Sequence, residues 1–264
     1  HAASLQAALA FARTHPDAPP VHLKLDTGMH RLGFTETELP DALERLRHAQ
    51  GLTVGSLFSH LAASEEPAHD GFTRAQIERF TRMAGAVLGV LDHRPLLHLA
   101  NSAGATRWPE ARFDMVRLGI GLHGIGADER ETAVLRPAAA LRTPIAQIKF
   151  VAPGDSIGYG RTYTAERPQR IAILPIGYAD GLSRRLGNGR GRVWIRDHAA
   201  PFVGTICMDM CMVDVTAIDC REGDDAFLFD QKHTVSEFAH DLGTIPYEAL
   251  TSISQRVKRV YTRS

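Results

Sequence analysis

Apolar positions in the first half of the chain follow two periods that take turns. Leu5, Leu9 and Phe11 sit among alanines at near-helical spacing, and Pro16, Pro19 and Pro20 stop the helix that this spacing predicts over 2–13. Val21-His-Leu-Lys-Leu-Asp26 then alternates as a strand does, Thr27-Gly28 turns the chain, and Leu39, Leu43 and Leu46 share one face of a helix predicted over 36–49. The order repeats with a strand over 52–58 and a helix over 73–90, followed by short strands over 96–100 and 115–118. Polar or glycine residues follow the strand ends: Ser59-His60, Asn101-Ser102 and Gly119-Ile-Gly121. Such alternation predicts βα units around a parallel sheet or barrel, where the carboxyl ends of successive strands meet on one face.

From about Ala138 the pattern changes to short alternating strands at 146–151, 170–176, 192–195, 212–215 and 226–229, with glycine and proline turns between them. This half is expected to be mainly antiparallel β. The polar string Asp128-Glu-Arg-Glu-Thr132 reads as the link, which gives an expected division into residues 1–130 and 131–264.

Composition narrows the class. The 264 residues are 44% apolar, enough for one large domain or two ordinary ones, each with a buried core, and too many for a disordered chain. Lys+Arg and Asp+Glu are matched at 30 each, so no net field draws the chain to nucleic acid or to a membrane, and a small-molecule partner fits better. Cys207, Cys211 and Cys220 are odd in number and lack zinc spacing, which points to a reducing cytoplasm rather than a disulfide framework. The thirteen histidines, His22, His98 and His123 among them, form no H-E-x-x-H pair, and no metal is expected. No apolar run approaches the ~18 residues of a membrane span, nor does a secretory signal stand at the start. Because the sequence starts at His1 without methionine, it reads as cut from a longer polypeptide. Gly187-Asn-Gly-Arg-Gly191 reads as a hairpin turn rather than a phosphate loop, and Arg184, Arg185, Arg190 and Arg192 as a solvated surface.

The candidate chemistry lies at the strand ends: Lys24 with Arg31, His60, Asn101 with Ser102, and Arg117 with Gly119. Taken singly, a strand-end arginine more often makes a surface pair and a lone histidine a structural hydrogen bond. Four such positions in register point to a ligand at the carboxyl-terminal face.

His22-Leu-Lys-Leu-Asp-Thr-Gly-Met-His-Arg-Leu-Gly33, Ser59-His60, His98-Leu-Ala-Asn-Ser102, Met115-Val-Arg-Leu-Gly-Ile120, Gly158-Tyr-Gly-Arg-Thr-Tyr163, Pro175-Ile-Gly-Tyr-Ala-Asp-Gly181 and Cys207-Met-Asp209 together resemble the alanine racemase family in order and spacing. The family comprises pyridoxal 5'-phosphate enzymes that interconvert L- and D-alanine for peptidoglycan synthesis. The resemblance implies an α/β chain, a partial (β/α) TIM-type barrel followed by a mainly antiparallel β domain, and a cytoplasmic homodimer with sites shared across the interface. It implies that Tyr159 exchanges the α-proton on one face in the partner's site. A phenol with a pKa of ~10 needs help near neutral pH, and His60 resembles the residue that gives it. Arg117 resembles the arginine facing the pyridine nitrogen. Ser102, Gly119 and Ile120, with Asn101 beside them, resemble the phosphate cradle. Arg31 resembles the arginine near the substrate carboxylate, with Lys24 in support, a lysine carbamylated in some members. The Met208 N–H, with Asp209 beside it, resembles a substrate contact from the partner subunit.

Three departures stand out. The family's cofactor-bearing lysine lies on the first barrel strand, and none of Lys24, Lys149, Lys232 and Lys258 occurs in such a string. The chain is therefore expected to be the later part of the enzyme and inactive alone. Gln255 stands where many members place a phosphate-binding tyrosine, and an amide offers a replacement donor. His30 occupies a position where a small residue is frequent. The string Ile253-Ser-Gln-Arg-Val-Lys-Arg-Val260 also resembles racemases fused behind a ligase that joins UDP-N-acetylmuramoyl-tripeptide to D-alanyl-D-alanine. The alternatives are a broad-specificity amino-acid racemase and a non-catalytic cofactor-binding barrel; the latter lacks a β domain.

Overall fold

Residues 2–262 are described by a computed structural model, and the chain divides between Leu135 and Arg136 into two units. The first runs α1 (Ala2–Thr14), β1 (Val21–Lys24), α2 (Leu39–Arg47), β2 (Val54–Phe58), α3 (Asp70–Leu88), β3 (Leu96–His98), α4 (Ser102–Arg107) and α5 (Glu129–Val134). Its strands form a parallel sheet in the order β1-β2-β3. Leu23, Leu57 and Leu97 lie side by side across the sheet and are buried. α3 adds Ile77, Phe80, Met83, Ala84 and Val87 to the same core, a helical spacing that puts one face inward. Fully enclosed side chains such as Phe80 and Leu57 contribute on the order of 2–3 kcal/mol each.

Because side chains alternate along a strand, the residues between those leucines face the other way. His22 sits opposite Ser56, and Lys24, Phe58 and His98 form the next row. The sheet thus has one apolar face and one polar face.

Two helices differ at their starts from the expected spans. α2 begins at Leu39 rather than near Glu36, because Thr35 and Glu38 bond each other and Pro40 supplies the first turn. α3 begins three residues early with Asp70 in its first turn, where a carboxylate favours the exposed N–H groups. The strand expected over 115–118 is absent: Met115 makes a single bridge to His98, and the segment then leaves the sheet through the Arg117 N–H to Ala100 O bond of 3.0 Å.

The second unit runs β4 (Leu141–Pro144), β5 (Gln147–Val151), β6 (Ser156–Ile157), β7 (Tyr163–Thr164), β8 (Gln169–Leu174), β9 (Arg192–Ile195), β10 (His198–Pro201), β11 (Cys211–Asp214), β12 (Asp225–Phe229), α6 (Val235–Leu242) and α7 (Pro246–Ser252). Antiparallel sheets are ordered β10-β9-β12-β4, β11-β8-β5 and β6-β7. Thr234 and Glu237 form a reciprocal cap on α6, and Gly243 ends it at φ 75°. The hairpin expected at 187–191 is misplaced. Asn188 and Gly189 instead bond back to Gly204 O and Phe202 O, and the tight turn joining β9 to β10 is Arg196-Asp197, with φ of 50° and 66°. Both central residues of such a turn need positive φ, which Asn-Gly advertises and Arg-Asp does not. Among the described residues no helix is long and apolar enough to cross a membrane.

Candidate active site

The polar face of the first sheet gathers most of the strand-end residues named from sequence. Arg117 is its centre. One Nη2 reaches Ser59 O at 2.7 Å and Leu99 O at 3.1 Å, while Nη1 lies 2.5 Å from His98 Nδ1 and 3.3 Å from His98 O. A guanidinium only donates, so His98 Nδ1 must accept and His98 must be the neutral tautomer with its proton on Nε2. That Nε2–H points to Ser56 Oγ at 3.0 Å, and Ser56 Oγ lies 2.6 Å from His22 Nδ1. Burial, reinforced by Arg117 and His22, lowers the His98 pKa to about 4. Its ring also stacks on Phe58 at 5.1 Å.

His60 is half-buried, with Nδ1 3.4 Å from Arg117 Nη2. Burial lowers its pKa, and Arg117, Arg31 and Lys24 act in the same direction. Burial likewise lowers Lys24, with Arg31 and Arg117 adding to it. Lys24 Nζ stands 5.8 Å from the centre of the Phe58 ring, as Arg117 does. Three cations around a neutral imidazole create a patch of positive potential with no carboxylate paired to Arg117 among the described residues, a donor set suited to an anionic ligand.

Beside this patch, Ser102 opens α4 with its hydroxyl taking hydrogen bonds from Gly119 N at 2.9 Å and Gly121 N at 3.3 Å. A Cβ at Gly119 would touch nothing within 4 Å, so the backbone there faces open space. The Asn101 carbonyl oxygen is occupied: it caps α4 through Gly104 N at 2.8 Å and accepts from Ser64 Oγ at 2.8 Å. Ile120 is buried and contributes backbone only.

His30 finds its explanation in the turn after β1. Gly28 N and His30 N both donate to Asp26 Oδ1 at 3.0 Å, and His30 adopts φ 53°, the region that favours small residues. Burial raises the Asp26 carboxyl, yet those two N–H bonds outweigh it and leave the group below its usual range.

The second unit holds the other named residues. Tyr159 is 72% exposed, standing in a turn where Gly158, Gly160 and Arg161 have φ of 79°, 69° and 49°. It lines a cavity of about 530 Å³ with Lys149, Cys207 and Met212. Met208 and Asp209 lie on an exposed loop bonded to the 177–181 turn: Tyr178 N donates to Cys207 O and Ala179 N to Met208 O, both at 3.0 Å. Gln255 is exposed and its neighbour Arg256 makes the contacts.

The family model of the alanine racemase N-terminal domain matches residues 1–127, and that of the C-terminal domain matches residues 138–261. The solved structure of alanine racemase from Streptomyces coelicolor A3(2) superposes with a TM-score of 0.90 at 31% identity, over 99% of this chain and 71% of that one. The chain belongs to the alanine racemase family. Alanine racemase 2 of Caldanaerobacter subterraneus subsp. tengcongensis is 41% identical over 249 residues, covering 91% of this chain and 64% of the relative. The alanine racemase structure from Bartonella henselae with covalently bound pyridoxal phosphate gives a TM-score of 0.87 at 29% identity, over 98% of this chain and 71% of that one. The chain thus spans a little under two thirds of the first curated relatives it matches.

Two residues that the sequence reading passed over complete the picture. His98 opens one of the strings that carry the resemblance but was given no site role, although its place at a strand end two positions from the sheet-facing Ser56 row is a usable signal. Arg256 sits beside Gln255 in a string that was weighed for its missing tyrosine and for its resemblance to ligase-fused racemases, and was itself given no role.

Proposed function

We propose that this chain supplies the later barrel half and the β domain of a cytoplasmic, homodimeric alanine racemase that uses pyridoxal 5'-phosphate. The observation that carries this reading is Arg117, a permanently protonated donor anchored by three carbonyls and a neutral histidine. The cofactor, when bound, supplies an electron sink that acidifies the Cα–H of the amino acid joined to it. Arg117 would meet its pyridine nitrogen with a hydrogen bond but cannot surrender a proton, which weakens the sink and favours clean racemisation. Ser102 Oγ and the Ile120 N–H would hold its phosphate, with the Gly119 N–H, which here donates to Ser102 Oγ, turning to it. Arg31, with Lys24 behind it, would orient the substrate carboxylate, as the Met208 N–H would from the partner subunit. Tyr159 Oη would take or return the Cα proton on one face in the partner's site. The residues present therefore fit the ring and the phosphate. None of the four lysines of this chain matches the cofactor-bearing lysine of the family.

The test uses a protein spanning the whole length of its relatives, supplied with cofactor, with L- and D-alanine conversion followed by circular dichroism. Interconversion in both directions is expected, together with none from the 264-residue chain. A whole-length protein that binds cofactor yet converts no alanine, or that turns over large side chains as fast, would overturn the reading.

A further inference from the structure

The loop that carries Met208 is not held by its own sequence. Cys207 N bonds Met210 O at 2.9 Å, but Met208 N donates to no group among the described residues, and Met208 and Asp209 are exposed. What surrounds the loop is tightly built. Gly177 approaches it so closely that a Cβ would meet Met208 O at 2.3 Å and Cys207 O at 2.4 Å. The turn that starts at Gly177 is closed by the buried Asp180, whose Oδ2 accepts from Gly177 N at 2.9 Å and whose carbonyl accepts from Ser254 N at 3.0 Å.

One side chain bridges these segments. Arg256 Nε donates to Asp180 Oδ1 at 2.7 Å, and Nη2 donates to Asp180 Oδ2 at 3.3 Å and to Asp209 Oδ1 at 2.5 Å. An exposed ion pair alone counts for little. Here a planar fork spans two carboxylates, one of them buried and already fixed by the Gly177 N–H, so its position is dictated from both sides. The charges matter as much as the geometry. Asp209 follows Met208 directly and Asp180 lies across Arg256 from it, and without that cation the two negative groups would repel a carboxylate approaching the free Met208 N–H.

We propose that Arg256 is a positioning residue for the substrate carboxylate: it ties Asp209 to the 177–181 turn, and by neutralising both carboxylates it lets the Met208 N–H receive an anion. The functional half of this rests on the racemase reading; the clamp itself does not.

Hydrogen exchange on the chain tests the clamp directly. In Arg256→Gln, exchange should quicken by about tenfold at the Cys207, Tyr178 and Ala179 amides, whose hydrogen bonds close the loop and hold it to the turn, the loss of one hydrogen bond to a charged group, while β8 and β12 keep their protection. In the whole-length protein with cofactor, the same variant should raise the KM for both alanine enantiomers and the inhibition constant of propionate by about tenfold, with kcat and the cofactor absorption band nearly unchanged. Arg256→Lys keeps the cation without the fork, and should recover most of the propionate affinity but not the loop protection. Unchanged exchange at Cys207, Tyr178 and Ala179, or a fall in kcat with KM unmoved, would overturn the proposal. If Arg256→Gln does not fold, Arg256→Lys decides: wild-type exchange across the loop would count against the clamp. A whole-length protein without alanine turnover whose loop still loosens would sink the racemase reading and leave the clamp standing.

Discussion

His98 should titrate far below an ordinary histidine, and the consequence can be worked out. The unfolded chain takes up a proton on this residue near pH 6.5, whereas the folded chain refuses it until about 4, because burial and the adjacent Arg117 disfavour the imidazolium. The unfolded state therefore binds more protons between those values, and stability falls as pH drops through that window. Above pH 6.5 the penalty vanishes; below about 4 it is complete. At about 1.4 kcal/mol per unit, the full gap is worth about 3 kcal/mol and the portion reached at pH 5 about 2 kcal/mol. His98 is only 6% exposed, so solvent screening trims this little. His98→Asn keeps an oxygen able to accept from Arg117 and removes the titration. It should be somewhat less stable than wild type at pH 7, having lost the Phe58 stack, yet lose about 2 kcal/mol less on going to pH 5. His60 shifts in the same direction but is common to both proteins and cancels. Asp26, held below its usual range by the two N–H bonds, contributes stability present above about pH 4 that is lost only at lower pH. The assay is urea unfolding at the two pH values, with the His98 ring proton followed by NMR. A midpoint near 6.5, or parallel pH dependence in the two proteins, would refute both the tautomer and the network built on it.

Other expectations follow from single positions. His30→Gly should relieve a left-handed backbone conformation while keeping the N–H to Asp26 bond, and raise stability by about 0.5–1 kcal/mol in thermal unfolding; a loss would mean that the exposed His30–Asp26 pair at 3.4 Å matters more than the strain. Gly177→Ala should cost about 3 kcal/mol in urea unfolding, since the new methyl meets two backbone oxygens that cannot move without breaking the bonds from Tyr178 and Ala179. In the whole-length protein, Tyr159→Phe should abolish proton exchange with solvent on one face of alanine while the cofactor absorption band persists; wild-type exchange from both enantiomers would remove Tyr159 from its role.

The strands and helices of the first unit were legible because each buries one face, and burial imposes a period. The Leu23, Leu57 and Leu97 row and the α3 stripe are the alternation and the helical spacing seen in sequence. Segment 115–118 misled because a short apolar run looks like a strand whether or not it finds a ladder, and here only Met115 does. In the β half, β4, β6, β7, β10 and both helices went unread. Several of these strands are two to four residues long, too short for any period to register, and the β9–β10 turn uses Arg-Asp in place of a recognisable dipeptide.

Site residues divide along a similar line. Arg117, His60, Lys24 and Ser102 could be named because Lys24 ends β1, His60 and Ser102 come after β2 and β3, and Arg117 comes after the Met115 bridge to β3, and strand ends share one face whatever the rest of the chain does. Their supporting groups could not. Arg117 is oriented by His98, 19 positions away, and by carbonyls at Ser59 and Leu99; Arg256 reaches Asp180 across 76 positions and Asp209 across 47. No periodicity links such partners, because a guanidinium on a long stem accepts any geometry that brings oxygens within reach. What does constrain them is satisfaction: a cation that is half-buried with no carboxylate beside it must find carbonyls or a neutral imidazole, or the fold cannot keep it charged. That requirement makes His98 neutral, and it links the orientation of Arg117 to the protonation of a histidine 19 positions away.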